Sequence, residues 1–162
     1  MRLPGLVAYG LLVASPPAVA ADATGVWLVE DKSGEIEIAN CAGVLWGVVA
    51  WERTPGRDTE NPDPALRGRP TLGIPILLGM RPIAPQGPAG PQTVWRGKIY
   101  NSRNGQTYEV SLKPVTPDVL NLEGCVLGGL FCGGQNWTRV KAPASTPGNV
   151  CSRVSDLARG AH

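Results

Sequence analysis

The residues best suited to chemistry are concentrated between positions 57 and 70. This segment carries Asp58, Glu60, Asp63, Arg67 and Arg69. Its two arginines can form a paired cradle for a carboxylate or phosphate, which is the chemistry of a lid over a binding site. The alternative is internal neutralisation, in which Asp58 and Asp63 pair with the two arginines and Asn61 caps a turn. Internal neutralisation is slightly favoured, and the functional interpretation stays open because a loop of this length in a compact domain usually has a role.

Catalysis is disfavoured by the residue types available. Two of these carboxylates would suit a glycosidase only beside an apolar pocket that raises one pKa, and no such pocket is evident in the sequence. The single histidine is His162, which removes histidine-built metal sites and Ser/His/Asp or Cys/His triads. We therefore predict no catalytic residues, no metal and no cofactor.

Four cysteines, Cys41, Cys125, Cys132 and Cys151, indicate disulfides. Of the three pairings, we favour Cys125 with Cys132, because these residues bracket a Gly-Gly turn and can face each other across a hairpin. Cys41 and Cys151 would then be left to join, although spacing cannot establish the distance that a bridge requires. A zinc site is disfavoured because the paired short spacings of zinc ligands are lacking.

The first twenty residues resemble an export signal. Arg2 supplies positive charge, residues 6–14 form a short apolar run, and Ala18 and Ala20 are the small residues that signal peptidase accepts. Prolines shorten the apolar run well below the length of a membrane span. We predict cleavage after Ala20 and a location in the periplasm or outside the cell, where disulfides persist.

Composition limits the remaining classes. The 162 residues include 21 Gly and 16 Pro, too many for long uninterrupted helices. Hydrophobic residues make up 43% of the chain, which is enough for one compact core. The net charge of +2 comes from intermixed charges and gives no field for nucleic acid or an anionic membrane surface.

Alternating polar and apolar residues indicate β-strands throughout the chain. The clearest examples are residues 35–38, 107–113 and 120–123, each with one apolar and one polar face. Less regular apolar runs at 25–31, 44–51, 71–78, 94–100 and 135–140 bring the predicted strands to eight.

Turn signals separate these strands. They lie at residues 32–34, 42–43, 104–105 and 116–118, and Asn104-Gly105 is the strongest hairpin signal because both residue types suit a type I′ turn. Consecutive antiparallel strands predict an all-β, eight-stranded up-and-down barrel; a two-sheet sandwich is the alternative. The predicted organisation is a signal peptide (1–20), a barrel domain (21–141), and a linker and tail (142–162) with a short helix near Val150, Val154 and Leu157.

Several motifs together resemble a family of small exported bacterial proteins known as a domain of unknown function. They are Gly25-Val26-Trp27, Asn61-Pro62-Asp63-Pro64-Ala65-Leu66-Arg67-Gly68-Arg69-Pro70, Leu72-Gly73-Ile74-Pro75-Ile76-Leu77, Trp95-Arg96-Gly97-Lys98-Ile99-Tyr100, Gly105-Gln106-Thr107-Tyr108, Gly124-Cys125 and Gln135-Asn136-Trp137-Thr138-Arg139-Val140. The resemblance covers roughly residues 24 to 140. It implies a lipocalin-like or calycin-like barrel, and it supplies no catalytic residues.

The resemblance also bears on individual residues. Where that family commonly has a second cysteine this chain has Trp46, which makes Cys151 a more attractive partner for Cys41. In lipocalin-like barrels the tryptophan of Gly-x-Trp packs under an arginine from the last strand. This implies a structural clasp between Trp27 and Arg139 rather than a ligand contact.

We interpret the protein as a binder of a small apolar or amphipathic ligand. The candidate contacts are Trp46, Trp51, Trp95 and Tyr108, with Arg67 and Arg69 near the mouth; Tyr100 is a further aromatic of the interior. Whether these rings fill the interior or wall a pocket is left open by the sequence. The alternative is an envelope scaffold or protein-interaction module that acts through the 57–70 loop.

Overall fold

The computed structural model describes residues 22–83, 93–126, 131–142 and 148–155. Among these residues no helix has the length and apolar character to cross a membrane. The predicted leader (1–20) and Leu157 lie outside the described residues. The strands are β1 (Gly25–Leu28), β2 (Gly34–Cys41), β3 (Val44–Glu52), β4 (Pro75–Ile83), β5 (Val94–Asn101), β6 (Gln106–Thr116), β7 (Val119–Val126) and β8 (Phe131–Arg139).

The strands form one closed antiparallel barrel in sequence order. Each strand pairs with the next, and β1 closes the ring against β8 through the pairs Trp27–Arg139 and Leu28–Thr138. Closure leaves no sheet edge exposed along the ring. The prediction of an eight-stranded up-and-down barrel is therefore confirmed, and the two-sheet sandwich is excluded.

The alternating sequence pattern explains which side chains fill the barrel. In β2, Ile36 and Ile38 belong to the buried core, so Glu35 and Glu37 must point to the outer face. In β6, Val110 and Leu112 occupy the same core. Every second residue of these strands is thus apolar and contributes to a shared interior.

The fourth strand begins later than its apolar sequence predicts. Residues 71–74 form a turn, in which the Ile74 amide donates to the Thr71 carbonyl and Gly73 has a φ of +84°. Strand β4 starts only at Pro75. The apolar character of this turn reflects burial of Ile74 rather than strand geometry.

The hairpin at Asn104-Gly105 is present, but its predicted type I′ turn is wrong. The connection spans four residues (102–105), and only Gly105 has a positive φ. The amides of Asn104 and Gly105 both donate to the Asn101 carbonyl. The two-residue turn with two positive φ angles lies instead at Ala42-Gly43, between β2 and β3.

A short carboxy-terminal helix, α1 (Val150–Arg153), packs on the outside of the barrel. Val150 and Val154 bury themselves against Trp46 and Val48 of β3 in a second, smaller apolar cluster. A disulfide joins Cys151 to Cys41 at the end of β2. The tail is therefore held on the β2–β3 face by both a covalent bond and apolar burial.

Candidate binding cavity

The two ends of the barrel are built from different turns. We call the end formed by the connections after β1, β3, β5 and β7 the mouth, and the opposite end the base. Because consecutive strands run in alternating directions, the turns at 42–43 and 117–118 both lie at the base.

The base is closed by Trp27 and Arg139. The guanidinium carbon of Arg139 lies 4.1 Å from the centroid of the Trp27 ring, which is fully buried. The same guanidinium donates to the carbonyl oxygens of Asp22, Thr24 and Pro117, while the Trp27 indole Nε1 donates to the Ala23 carbonyl at 2.9 Å. This arrangement ties the first strand, the last strand and the β6–β7 turn together.

The mouth, in contrast, opens into a cavity of about 540 Å³. Apolar side chains form most of its walls; they include Val29, Ile36, Val49, Ile76, Ile99 and Leu122. Trp137 also lines it, whereas the other four tryptophans do not. The cavity is thus an apolar chamber with a single tryptophan in its wall.

Glycines occupy several inward positions in this part of the wall. Gly124 follows the buried Leu122 by two residues on β7, and it pairs directly with Gly133 of β8. Gly34 occupies the equivalent inward position before Ile36 on β2. A Cβ added at Gly133 would meet no atom within 4 Å, so this part of the wall has room for a larger side chain.

Polar side chains surround the part of the cavity nearest the mouth. Glu52, the last residue of β3, pairs with Gly34 and therefore points inward, and it accepts a hydrogen bond from the Thr71 hydroxyl at 2.5 Å. The Tyr108 hydroxyl accepts from the Asn104 amide at 2.8 Å. Deeper in the wall, Gln135 accepts from the indole Nε1 of Trp137 at 2.9 Å.

An ion pair crosses the mouth. The Arg103 guanidinium lies 3.2 Å from the Asp31 carboxylate and also donates to the Ser33 hydroxyl. Asp31 lies in the β1–β2 turn and Arg103 in the β5–β6 turn, four strands apart on an eight-stranded ring. The pair therefore connects opposite sides of the opening.

Of the aromatic residues proposed as ligand contacts, Tyr108 is the one that lines the cavity. Trp95 points inward, paired with Leu112, but it packs against the core at the base end of β5. Trp46 and Trp51 do not line the interior. Trp46 lies under α1, and an irregularity in the β2–β3 register pairs Trp51 with the outward-facing Glu35.

Arg67 and Arg69 are not part of the cavity wall. Arg69 forms an ion pair with Asp58 at 2.8 Å, and the Arg67 Nε donates to the Asn61 carbonyl at 2.8 Å. Asp63 accepts from the Ala65 amide and caps a 3-10 turn at Pro64–Leu66 instead of pairing with an arginine. Both arginines therefore serve the internal structure of the loop.

The 57–70 loop is anchored to the barrel through a buried cluster. Asp58, with 0% exposure, accepts hydrogen bonds from the Tyr100 hydroxyl at 2.5 Å, from the Asn61 amide and from Arg69. The loop also lies so close to the β5–β6 turn that a side chain at Gly105 would collide with the Glu60 carbonyl. The loop therefore packs beside the mouth, and none of its residues lines the cavity.

This cluster shifts the pKa of both of its acids. Burial acts to raise the pKa of Asp58, but the hydrogen bonds from Tyr100, Asn61 and Arg69, with the charge of Arg69, lower it overall. Burial and the adjacent Asp58 carboxylate raise the pKa of Tyr100 to about 12. Asp58 is thus held charged and Tyr100 neutral across the ordinary pH range.

A second disulfide lies toward the mouth. Cys125 and Cys132 are directly paired residues of β7 and β8, and they form a bridge across the hairpin. Together with the bridge between Cys41 and Cys151, it accounts for all four cysteines. These are the two pairings that the sequence favoured.

Sequence reasoning missed several polar residues of the cavity wall, among them Asp31, Glu52, Arg103 and Gln135. Three of them border turns or strand ends, where the alternation of inward and outward positions no longer identifies direction. A usable signal did exist for Gln135, which stands two residues before the buried Trp137 on the same strand.

The fold has a solved counterpart in a bacterial protein. The chain is similar to protein HP1028 from Helicobacter pylori, described as belonging to the lipocalin family, with a TM-score of 0.64 and 19% identity over 86% of this chain and 90% of that one. At this identity the likeness shows the fold, which is lipocalin-like. No curated protein matches the chain.

The family resemblance inferred from the sequence motifs is confirmed. A model described as an uncharacterized protein conserved in bacteria matches residues 25–139, which run from the first residue of β1 to the last residue of β8. The chain therefore belongs to this bacterial family, DUF2147.

Proposed function

We propose that the protein binds a small apolar or amphipathic molecule inside the barrel. The observation that carries this proposal is the cavity of about 540 Å³, with apolar walls and polar groups at the mouth. Its volume falls within the roughly 300 to 1,000 Å³ typical of small-molecule sites. An amphipathic ligand would place its apolar part against the walls and its polar part among the mouth residues.

The contrast between the two ends supports binding. At the base the same barrel is closed by large side chains, and Leu112, Leu120 and Trp27 have no exposed surface. At the mouth, glycines replace such side chains at inward positions. An unfilled apolar chamber forgoes packing energy, so a chain under no functional demand gains by filling it.

The positions of the charged groups support binding without catalytic turnover. In the 57–70 loop, Asp58 is held by Tyr100, Asn61 and Arg69, and Asp63 caps a turn. Neither of these carboxylates faces the cavity. Of the two that do, Asp31 is engaged by Ser33 and Arg103 through both of its oxygens. Glu52 is therefore left without a second unengaged carboxylate, among the described residues of the wall, to form the pair that must flank a scissile bond.

An extracytoplasmic location completes the proposal. Two disulfides in a chain of this size are typical of exported proteins, because cytosolic thiols are kept reduced. Residues 1–20 would supply the export signal. Fractionation of the host cells should recover a form that begins at Ala21, and a form retaining Met1 in the cytoplasm would contradict the export part of the proposal.

Native mass spectrometry of protein purified from its own host tests the binding part. We expect a mass adduct that disappears on extraction with organic solvent, and blue-shifted or quenched tryptophan fluorescence when dodecanol is added to the extracted protein. Absence of an adduct together with no response to dodecanol would contradict ligand binding.

A further inference from the structure

The charged residues of the cavity wall favour a ligand of one charge sign over the other. Among the residues that the structure describes, three charged ones line the cavity, namely Asp31, Glu52 and Arg103. Arg103, the cation, is already engaged by Asp31 across the mouth. The wall therefore presents one carboxylate, Glu52, in excess of its cation.

Asp31 has its oxygen atoms fully engaged. One carboxylate oxygen accepts from the Ser33 amide at 2.9 Å and from the Ser33 hydroxyl at 2.5 Å, and the other faces Arg103. An anionic ligand that sought Arg103 would have to compete with this carboxylate and with the local hydrogen bonds that fix it.

Glu52 has a different environment. Its one hydrogen bond among the described residues comes from the neutral Thr71 hydroxyl, to Oε1, and no ion pair involving Glu52 is formed there. The neighbouring cations in sequence, Lys32 and Arg53, are exposed and lie outside the cavity wall. Oε2 thus remains available beside an apolar chamber.

The local structure holds this carboxylate in place. Thr71 is itself buried, with 6% of its surface exposed, and its amide is bonded to the Gly56 carbonyl. Because the Thr71 hydroxyl is fixed in this way, Oε1 is fixed with it. Glu52 is therefore a preorganised acceptor rather than a freely rotating surface side chain.

We propose that the cavity selects an amphiphile with a cationic polar end, such as a primary ammonium group, and that Glu52 binds this group. The inference rests on the proposed ligand-binding function. An ammonium would gain a charge-assisted hydrogen bond from Glu52 at the rim of a low-dielectric chamber. A carboxylate at the same place would face Glu52 and Asp31, two like charges.

Three probes with the same tail separate this inference from the binding function itself. Dodecylammonium, dodecanol and dodecanoate are titrated at neutral pH, the two ionic probes below their micellar concentrations and dodecanol below its solubility limit, with tryptophan fluorescence and calorimetry as readouts. We expect dodecylammonium to bind roughly tenfold more tightly than dodecanol, the ratio typical of one hydrogen bond to a charged group. Dodecanoate should bind most weakly of the three.

Variants identify the residue responsible. Glu52→Gln should lower the ratio of dodecylammonium affinity to dodecanol affinity from about tenfold to about one. Glu123→Gln, which removes an exposed carboxylate on the outer face of β7, is the matched control and should preserve the order of the three probes.

Two results would overturn the inference while leaving the binding function intact: equal affinity for all three probes, or tightest binding of dodecanoate that is lost in Arg103→Gln. Failure of dodecanol and both charged probes to bind would instead reject the proposed function on which the inference rests.

Discussion

The mouth and the base of this barrel are made by the same strands, yet one is open and the other is packed. At the base, Trp27 and Arg139 lock the first and last strands together, and Leu112 and Leu120 have no exposed surface. Toward the mouth, Gly124 pairs with Gly133, where an added Cβ would meet no atom within 4 Å. Alternation of polar and apolar residues along the strands therefore produces the closed barrel, whereas the size of the inward-facing side chains determines which half is hollow.

The ends also differ in how they are held. Hydrogen bonds from Arg139 to three backbone carbonyls secure the base. The mouth is flanked by the anchored 57–70 loop and crossed by an exposed ion pair. We therefore expect changes at the base to alter stability strongly and changes at the mouth to alter mainly ligand binding.

The largest loss of stability should follow Trp27→Ala. Removing this fully buried ring leaves a void and deprives Arg139 of its stacking surface. We expect the free energy of unfolding to fall by about 3 to 5 kcal/mol, measured by urea denaturation. Trp51→Ala, at a partly exposed position on the outer face, is the matched control, and an equal loss in both variants would contradict the special role of the base.

Removing the disulfide between Cys41 and Cys151 should have the next largest effect. With both residues changed to serine, we expect a loss of about 2 to 5 kcal/mol, since the bridge closes a span of 110 residues. Removal of the bridge between Cys125 and Cys132, which spans 7 residues, should cost less. Thermal unfolding of the two double variants provides the comparison, which the reverse order would refute.

Tyr100→Phe should cost about 1 to 3 kcal/mol, because it leaves the buried Asp58 short of one hydrogen-bond donor. The pH dependence gives a sharper test. Since the pKa of Asp58 is lowered on folding, its contribution to stability is present above its ordinary pKa of 3.8 and disappears as the pH falls through the lowered value.

Tyr100 acts at the other end of the pH range. Its pKa rises from 10.0 to about 12, so its contribution is complete below pH 10 and is lost as the pH rises toward 12. Urea denaturation across both ranges should therefore show weaker pH dependence in Tyr100→Phe than in the original protein. Identical pH profiles would show that the cluster does not anchor the loop; Tyr108→Phe serves as the control.

The smallest effect on stability should come from Arg103→Gln. Arg103 and Asp31 are 74% and 55% exposed, and an exposed ion pair contributes at most about 1 kcal/mol. Entry and release of dodecanol should nevertheless accelerate, because the ion pair no longer spans the mouth. Stopped-flow fluorescence measures both rates, and unchanged rates would show that the pair does not obstruct the opening.

The sequence predicts the fold of this protein more completely than it predicts the candidate site. The barrel follows from alternation in strands such as β2 and β6, where neighbouring residues differ clearly in polarity. The irregular register near Trp51 and the covering of Trp46 by α1 depend on long-range packing, so the sequence could not assign those rings to the outer face.

The loop shows the same limit. The sequence offered pairing of Asp58 and Asp63 with the two arginines as one alternative, and the structure forms the pair between Asp58 and Arg69. The hydrogen bond from Tyr100 to Asp58 could not be predicted, because Tyr100 is distant in sequence. The start of β4 was misplaced because the buried Ile74 gives a turn the apolar character of a strand. Burial can be inferred from residue type, whereas the element that provides it cannot.

The most direct test of the central claim is to place a larger side chain in the cavity by substituting a residue of its wall. Gly133→Leu introduces a side chain where an added Cβ meets nothing within 4 Å, so the barrel should remain as stable as before. Gly68→Leu, at another glycine with open space but outside the cavity, is the matched control. Calorimetric titration with dodecanol should show equal affinity for the original protein and Gly68→Leu, and weaker affinity for Gly133→Leu. Undiminished binding by a folded Gly133→Leu variant would contradict the claim that the mouth half of the barrel is the ligand chamber.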